Sequence, residues 1–469
     1  MTHSRYAFGL FLSISGLLLS MAIWFYLERM TNLDMAFQTF LMLKSGHPEI
    51  QSGRFGAVVT QIWVSAAQWL GAPLKGVLLS YSLGHAIWPV LLAGLSWYWG
   101  QWRWSLTILL VATLMTTHTF FWLSEMPQGL ALICAVYAWM HYKGGLKAFS
   151  WLDWLIWLVV LWTAFYFHPM VLYANLFIGV YFILIPGKNI QWRAMHLVPI
   201  LVFVGLAILK YKVLKLDWYD AAALKRQEAF GRLWPNWLDI ESNRQFVKWC
   251  VKDYRLVWLV IFGSIAWGAW QRQFFRVAWI AVCALGYVVL VNVPFHDSIG
   301  KQFYMENLYL PLAVFAAVPL MFGVLGKPEL QLSRPAFWGL SVLFALSFFR
   351  IARAGGEWTS RMNWEKQILQ QTASLPDRKI LMTEQQVPMD LLKMSWGSPY
   401  EFLMLSAIEH PDSARCLIIT DQPAKYDTLM SNPRIFLGTF RNYSLDSLPQ
   451  RYFRVKDTKG YVKAQSVEH

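Results

Sequence analysis

The chain has 469 residues, of which 57% are hydrophobic and 14% charged, and its formal net charge is +14. A soluble chain carries about 25% charged residues, so this composition excludes a water-soluble enzyme and marks an α-helical polytopic membrane protein. The basic excess gathers in short loops between apolar segments, which reads as orientation in a membrane rather than as a nucleic-acid surface. The four cysteines form neither a zinc pattern nor a disulfide framework.

Eleven apolar segments are read as spans: about 7–27, 74–98, 105–123, 126–142, 151–167, 169–186, 196–213, 256–270, 276–293, 307–325 and 336–352. The first lacks a small-residue cleavage site and reads as a signal anchor that stays. With the N-terminus in the cytoplasm, the cytoplasmic loops hold Arg5, Arg103, Lys143, Lys147, Lys188, Arg193, Arg272, Arg276, Lys327 and Arg334, against Glu329 alone among acids. The expectation is a multi-pass protein of the plasma (inner) membrane with an extracytoplasmic C-terminal part. Residues 1–352 form its transmembrane domain and residues 353–469 a small soluble α/β domain.

The stretch from Trp24 to Gly56 places Glu28, Arg29, Asp34, His47, Glu49 and Arg54 just beyond the first span. Charges held at the hydrocarbon boundary cost several kcal/mol unless solvated or paired, so the cluster marks a candidate site. Glu28 and Arg29 stand where a helix would stop, but Asp34 lies six residues further on in a Thr-Asn-Leu-Asp turn, where stopping a helix does not explain it. The rest of outer loop 28–73 holds the segment 55–71, whose Gln61, Ser65 and Gln68 make a polar stripe on an apolar helix. Counting it as a span would place the later basic loops outside, so it is expected to lie flat in the interface.

Further along, Glu125 sits in the tight turn Ser124-Glu125-Met126-Pro127, and His168 directly precedes Pro169, at the expected N-cap of the next helix. Outer loop 214–255 alternates aromatic and charged residues and reads as a lid or substrate wall. His296, Asp297, Lys301, Tyr304 and Glu306 then crowd into eleven positions, with Lys301 suited to meet a lipid phosphate as a point charge. Beyond residue 353, KILMTE and CLIITD read as strands, PYEFLMLSAIEH as a helix, and FLGTFRNYSL and RYFRVKD as further strands. That region has no glycine-rich phosphate loop, no HExxH and no catalytic triad.

A first outer loop with an acid soon after the first span, an interfacial helix in that loop, about eleven spans and a C-terminal outer domain together resemble the GT-C glycosyltransferases. Lys301, Tyr304 and the span entry Tyr309-Leu310-Pro311 are similar to the basic and aromatic run of many members. The resemblance implies a GT-C-like fold, Asp34 as the catalytic carboxylate, a polyprenyl-phosphate-linked sugar as donor, and a glycan, lipid or protein as acceptor. Where many members carry paired acids, Asp34 stands between Leu33 and Met35, so no metal ligand set is read and a divalent cation is an optional cofactor.

The chemistry asks for a base on the acceptor hydroxyl, which Asp34 can supply, and for cations at the departing phosphate, a role open to Arg54 and Lys301. Glu125, His168, His296, Asp297 and Tyr304 complete the expected substrate-binding set. Membrane lipid is a partner throughout. Two other readings stay open: a transporter or flippase of lipid-linked sugars, which would show mid-membrane charges and internal repeats, and an inactive envelope-assembly scaffold.

Overall fold

The computed structural model describes residues 5–298, 300–326, 332–374, 378–455 and 459–464. Lys327 and Glu329 of the charge count, and Lys456 and Asp457 of RYFRVKD, lie outside the described residues.

The chain is built mainly of helices. The first span is α1 (Arg5–Trp24), followed by the short α2 (Tyr26–Met30), α3 (Leu33–Ser45) and α4 (Val58–Trp69). The bundle continues through α5 (Leu74–Tyr98), α6 (Trp102–Thr113), α7 (Met126–Lys143), α8 (Trp151–Phe167), α9 (Val171–Ile183) and α10 (Ile190–Ile208). The long loop folds as α11 (Trp218–Lys225), α12 (Ala229–Arg232) and α13 (Glu241–Trp249). Helices α14 (Arg255–Trp270), α15 (Phe274–Asn292), α16 (Gln302–Tyr309), α17 (Pro311–Pro319) and α18 (Arg334–Gln371) complete the bundle.

Five described helices are long and apolar enough to cross a membrane, namely α1, α5, α10 with its continuation to Val213, α15 and α18. A sixth is made by Gln302–Tyr309 and Pro311–Val324 if that pair, bent by 46°, is one span. Helices α7, α8, α9 and α14 occupy four further segments read as spans, and the 12-residue α6 fills only the first part of a fifth. The surface is that of a helical membrane protein. Leu152, Leu155, Ile156, Val159 and Trp162 of α8, Leu197, Leu201 and Val204 of α10, and Trp338, Val342, Leu346 and Phe349 of α18 are all exposed. Apolar faces this extensive are stable against lipid and not against water. The α4 segment is helical as expected, and at 12 residues it is about 18 Å long, well short of a ~30 Å hydrocarbon core.

Two departures from the expected spans shape the site. The segment 105–123 is not one helix, because α6 stops at Thr113. Its continuation gives up helical hydrogen bonds that buried charged groups replace. Arg350 donates to the carbonyls of Leu114 (2.8 Å) and Thr116 (3.3 Å), and Glu306 accepts from the N–H groups of Thr117 (2.6 Å) and Thr119 (2.9 Å). Buried non-helical backbone is tolerated only when protein groups satisfy it in this way. Second, α18 runs without a break past residue 352, so the composition change at 353 falls inside a helix.

The C-terminal part holds a parallel three-stranded sheet in the order β2–β1–β5, with β1 (Lys379–Thr383), β2 (Cys416–Thr420) and β5 (Val462–Lys463). The short β3 (Ile435–Phe436) and β4 (Tyr443–Ser444) pair antiparallel. KILMTE and CLIITD thus form the sheet centre, while the described part of RYFRVKD is not a strand. Helix α19 (Met389–Leu392) and helix α20 (Ser398–Ala407) connect β1 to β2, and α20 packs between β2 and α3. Phe40 of α3 meets Tyr400 (5.1 Å between rings) and Phe436 (5.4 Å), so the domain and the first loop share one core.

Candidate functional site

Asp34 sits in the first turn of α3, where the helix dipole favours a carboxylate. The turn before it is held tightly. Leu33 has a positive φ of 37°, and its N–H donates to the buried carboxylate of Glu401 in α20. A Cβ at Gly397 would come within 2.8 Å of the Leu33 Cα, so that close approach requires glycine. Arg361 of α18 ties the two sides together, donating to Asn32 Oδ1 (2.7 Å) and to both oxygens of Glu401 (2.8 Å each). The C-terminal domain therefore clamps the backbone that presents Asp34.

Asp34 itself is half-buried, and its Oδ2 accepts a hydrogen bond from the Trp122 indole at 2.7 Å. Trp122 reaches it from the broken segment after α6 and packs on Phe303 (4.5 Å) and Tyr304 (5.7 Å) of α16. Oδ1 has no hydrogen-bond partner among the described residues. Burial pushes the Asp34 carboxyl up to about 6; the Trp122 bond opposes this, the charge of Glu125 adds to it and Arg54 works against it. A carboxylate that titrates near neutral pH is suited to take up and release a proton.

Arg54 and Glu125 form a salt bridge of 3.0 Å beside Asp34. Arg54 is fixed by the following turn, where Phe55 stacks on Trp162 of α8 at 5.7 Å, while Glu125 is the N-cap residue of α7. Gln38, on the same helix as Asp34, donates to Glu125 at 3.3 Å and accepts from Tyr81 at 3.1 Å. The Nε of Arg54 is buried and makes no hydrogen bond to the described residues. The Arg54 guanidinium also faces the ring of Tyr219 at 5.3 Å, which brings the long loop against it.

Near Arg54 lies the buried salt bridge Lys210–Asp220, at 2.7 Å. His168 is close by. Burial, with the charges of Arg54 and Lys210, holds its imidazole well below the usual range and so neutral. It caps the end of α8 rather than opening the next helix, which starts at Val171 after a turn through Pro169.

Of the expected residues, Asp34, Arg54, Glu125, His168 and Tyr304 converge on this region, whereas His296, Asp297 and Lys301 stand at its rim. Asp297 pairs with Arg226 at 3.0 Å, and His296 meets Arg232 at 3.1 Å, both in exposed surroundings. Lys301 is exposed and has no ion-pair partner among the described residues. Arg226 stacks over Phe295 at 4.8 Å and its charge acts on Tyr304, which brings a second cation to the rim. Glu306 takes a different part: its carboxylate accepts from Thr117, Thr119 and Tyr254, and it holds the backbone behind Trp122.

Trp122, Gln38, Tyr219 and Arg226 are members of the site that sequence reasoning did not single out. Only the last two carried a signal, through the aromatic and charged alternation of loop 214–255. No group of three or more carboxylate, imidazole or thiolate ligands is placed to hold a metal ion among the described residues. Glu125, an acid whose charge acts on Asp34, is engaged by Arg54, so the donor set does not fit a tightly held divalent cation. Compared with protein-family models, with curated proteins and with solved structures, the chain matches none.

Proposed function

We propose that this chain is a membrane glycosyltransferase that moves a sugar from a polyprenyl-phosphate carrier to an acceptor hydroxyl, with Asp34 as general base. The observation that carries the reading is the Asp34 carboxylate, held by Trp122 and raised to about 6 at the edge of an apolar bundle. In this scheme the acceptor oxygen attacks the anomeric carbon, its proton passes to Asp34, and the bond from that carbon to the phosphate oxygen breaks. Arg54 and, from the rim, Lys301 and Arg226 would meet the departing phosphate. The rings of Trp122, Tyr304 and Tyr219 offer apolar faces for a sugar. A carrier with a long prenyl chain suits a site where the tail can remain in lipid while the headgroup reaches Asp34.

The test is turnover of polyprenyl-phosphate sugars by the purified protein in lipid, measured against pH. The base is active when ionised, so activity should be level above the Asp34 value and fall about tenfold between pH 7 and pH 5. A rate that is flat across that interval would remove Asp34 from the role.

We further infer eleven crossings with a cytoplasmic N-terminus and the Asp34 face outside. Ser333 caps the start of α18 and Ser360 lies about 40 Å along the helix. Cysteines placed at these two positions should react with impermeant reagent from opposite sides, and labelling from the same side would overturn the orientation.

A further inference from the structure

A cavity of about 670 Å³ opens at the end of the bundle far from Asp34. Helix α5, whose 25 residues span about 37 Å, separates Lys75, at the C-terminal domain, from the turn at Gly100 that borders this cavity. Its lining includes Gln101, Arg103, His141, Lys188, Gln273 and Arg276, and no carboxylate among the described residues.

Arg276 is the decisive group. It is 6% exposed, and its guanidinium lies on the face of the Tyr181 ring at 3.9 Å. One nitrogen, Nη1, donates to Gln273 at 2.6 Å, while Nε and Nη2 make no well-formed hydrogen bond to the described residues, the Tyr181 hydroxyl being only a weak acceptor beside the guanidinium. A buried guanidinium with two poorly satisfied donors is costly, and the usual relief is an oxyanion. Lys188 stands at the mouth, over Trp192 at 4.3 Å, as a second positive charge. The helices α6 and α15 also begin beside the cavity, which their N-cap residues Gln101 and Gln273 line.

We propose that this cavity is a binding site for a phosphate group, with the Nε and Nη2 edge of Arg276 as its principal donor pair and Lys188 as its outer charge. The ligand is a phosphate carried by a lipid headgroup of the adjoining leaflet or a free phosphate, and the site does not depend on the reading of Asp34.

Native mass spectrometry of the full chain, delipidated and titrated with phosphatidylglycerol or with dioleoylglycerol, tests it. The expected result is one retained phosphatidylglycerol per chain above background and no such retention of dioleoylglycerol, which lacks the phosphate. Arg276→Gln should weaken retention at least tenfold, and Lys188→Gln, on an exposed turn, about threefold. Displacement of the lipid by millimolar inorganic phosphate identifies a free-phosphate site; persistence of the lipid with loss in Arg276→Gln identifies a headgroup site. Equal retention by wild type and a folded Arg276→Gln overturns the proposal. If Arg276→Gln does not fold, equal retention by wild type and Lys188→Gln does the same.

Discussion

Asp34→Asn should abolish most of the transfer reaction while leaving a protein that is at least as stable as the wild type. The amide keeps the size of the side chain and can still accept from Trp122, but it is not a base. General-base assistance contributes about 10²–10⁴-fold, or roughly 3–5 kcal/mol of barrier, and the rate should fall by that order. Stability should move the other way. The folded-state carboxyl is raised from the ordinary carboxylate range to about 6, so the fold holds the proton over a pH interval in which the unfolded chain has lost it. Ionisation at neutral pH therefore costs stability, by about 3 kcal/mol at most and less because the group is half-buried. Wild type should gain thermal stability from this group as pH falls from 7 to 5, and Asp34→Asn should lack that component. An Asn variant that loses activity through unfolding would show a lowered Tm, which separates the two explanations.

Arg361→Met should be the most damaging single change to the fold. Arg361 is fully buried and compensates Glu401 and Glu365 together, with salt bridges of 2.8 Å to each. Burial raises both the Glu365 and the Glu401 carboxyls, and Arg361 opposes the rise in each; Glu401 takes the closer set of donors, from Arg361 and the Leu33 N–H. Removing the guanidinium leaves that carboxylate buried without its counter-ion and frees Asn32 from its donor. Breaking a buried pair on one side costs about 3–5 kcal/mol. The expected outcome is a Tm lowered by several degrees together with loss of activity, although Arg361 touches no reacting atom. A Tm equal to wild type in Arg361→Met would show that Glu401 does not depend on it, and the clamp on Leu33 would lose its support.

What was legible in the sequence follows the range of the forces involved. Apolar runs such as 74–98 and 276–293 are local signals, and α5 and α15 appear at nearly those bounds. The α3 turn with Asp34 was marked by a charge where hydrocarbon ends, and Arg54 and Glu125 by the same physics. The broken segment after α6 was not legible. Its residues read as apolar continuation, and the groups that stabilise the break, Glu306 and Arg350, lie 189 and 236 residues away from their partners Thr117 and Leu114. Trp122 was hidden for the same reason, since it stood inside an expected span.

Long-range pairing also explains the C-terminal domain. Its strands and α20 were readable from short apolar runs, but its contact with the first loop depends on Glu401 and Arg361 meeting residues more than three hundred positions earlier in the chain. His296 and Asp297 had the composition of site residues and reside on the rim, because Arg232 and Arg226 from the long loop hold them there.

In the proposed transferase Asp34 drives cleavage of a sugar–phosphate bond, and release of free polyprenyl phosphate from a polyprenyl-phosphate-linked sugar measures that step directly. Purified wild type in lipid, supplied with an acceptor, should release it, and Asp34→Asn in the same lipid should release it about 10²–10⁴-fold more slowly. Equal release by the two proteins, or passage of the intact donor across the bilayer with no release by either, would contradict the account.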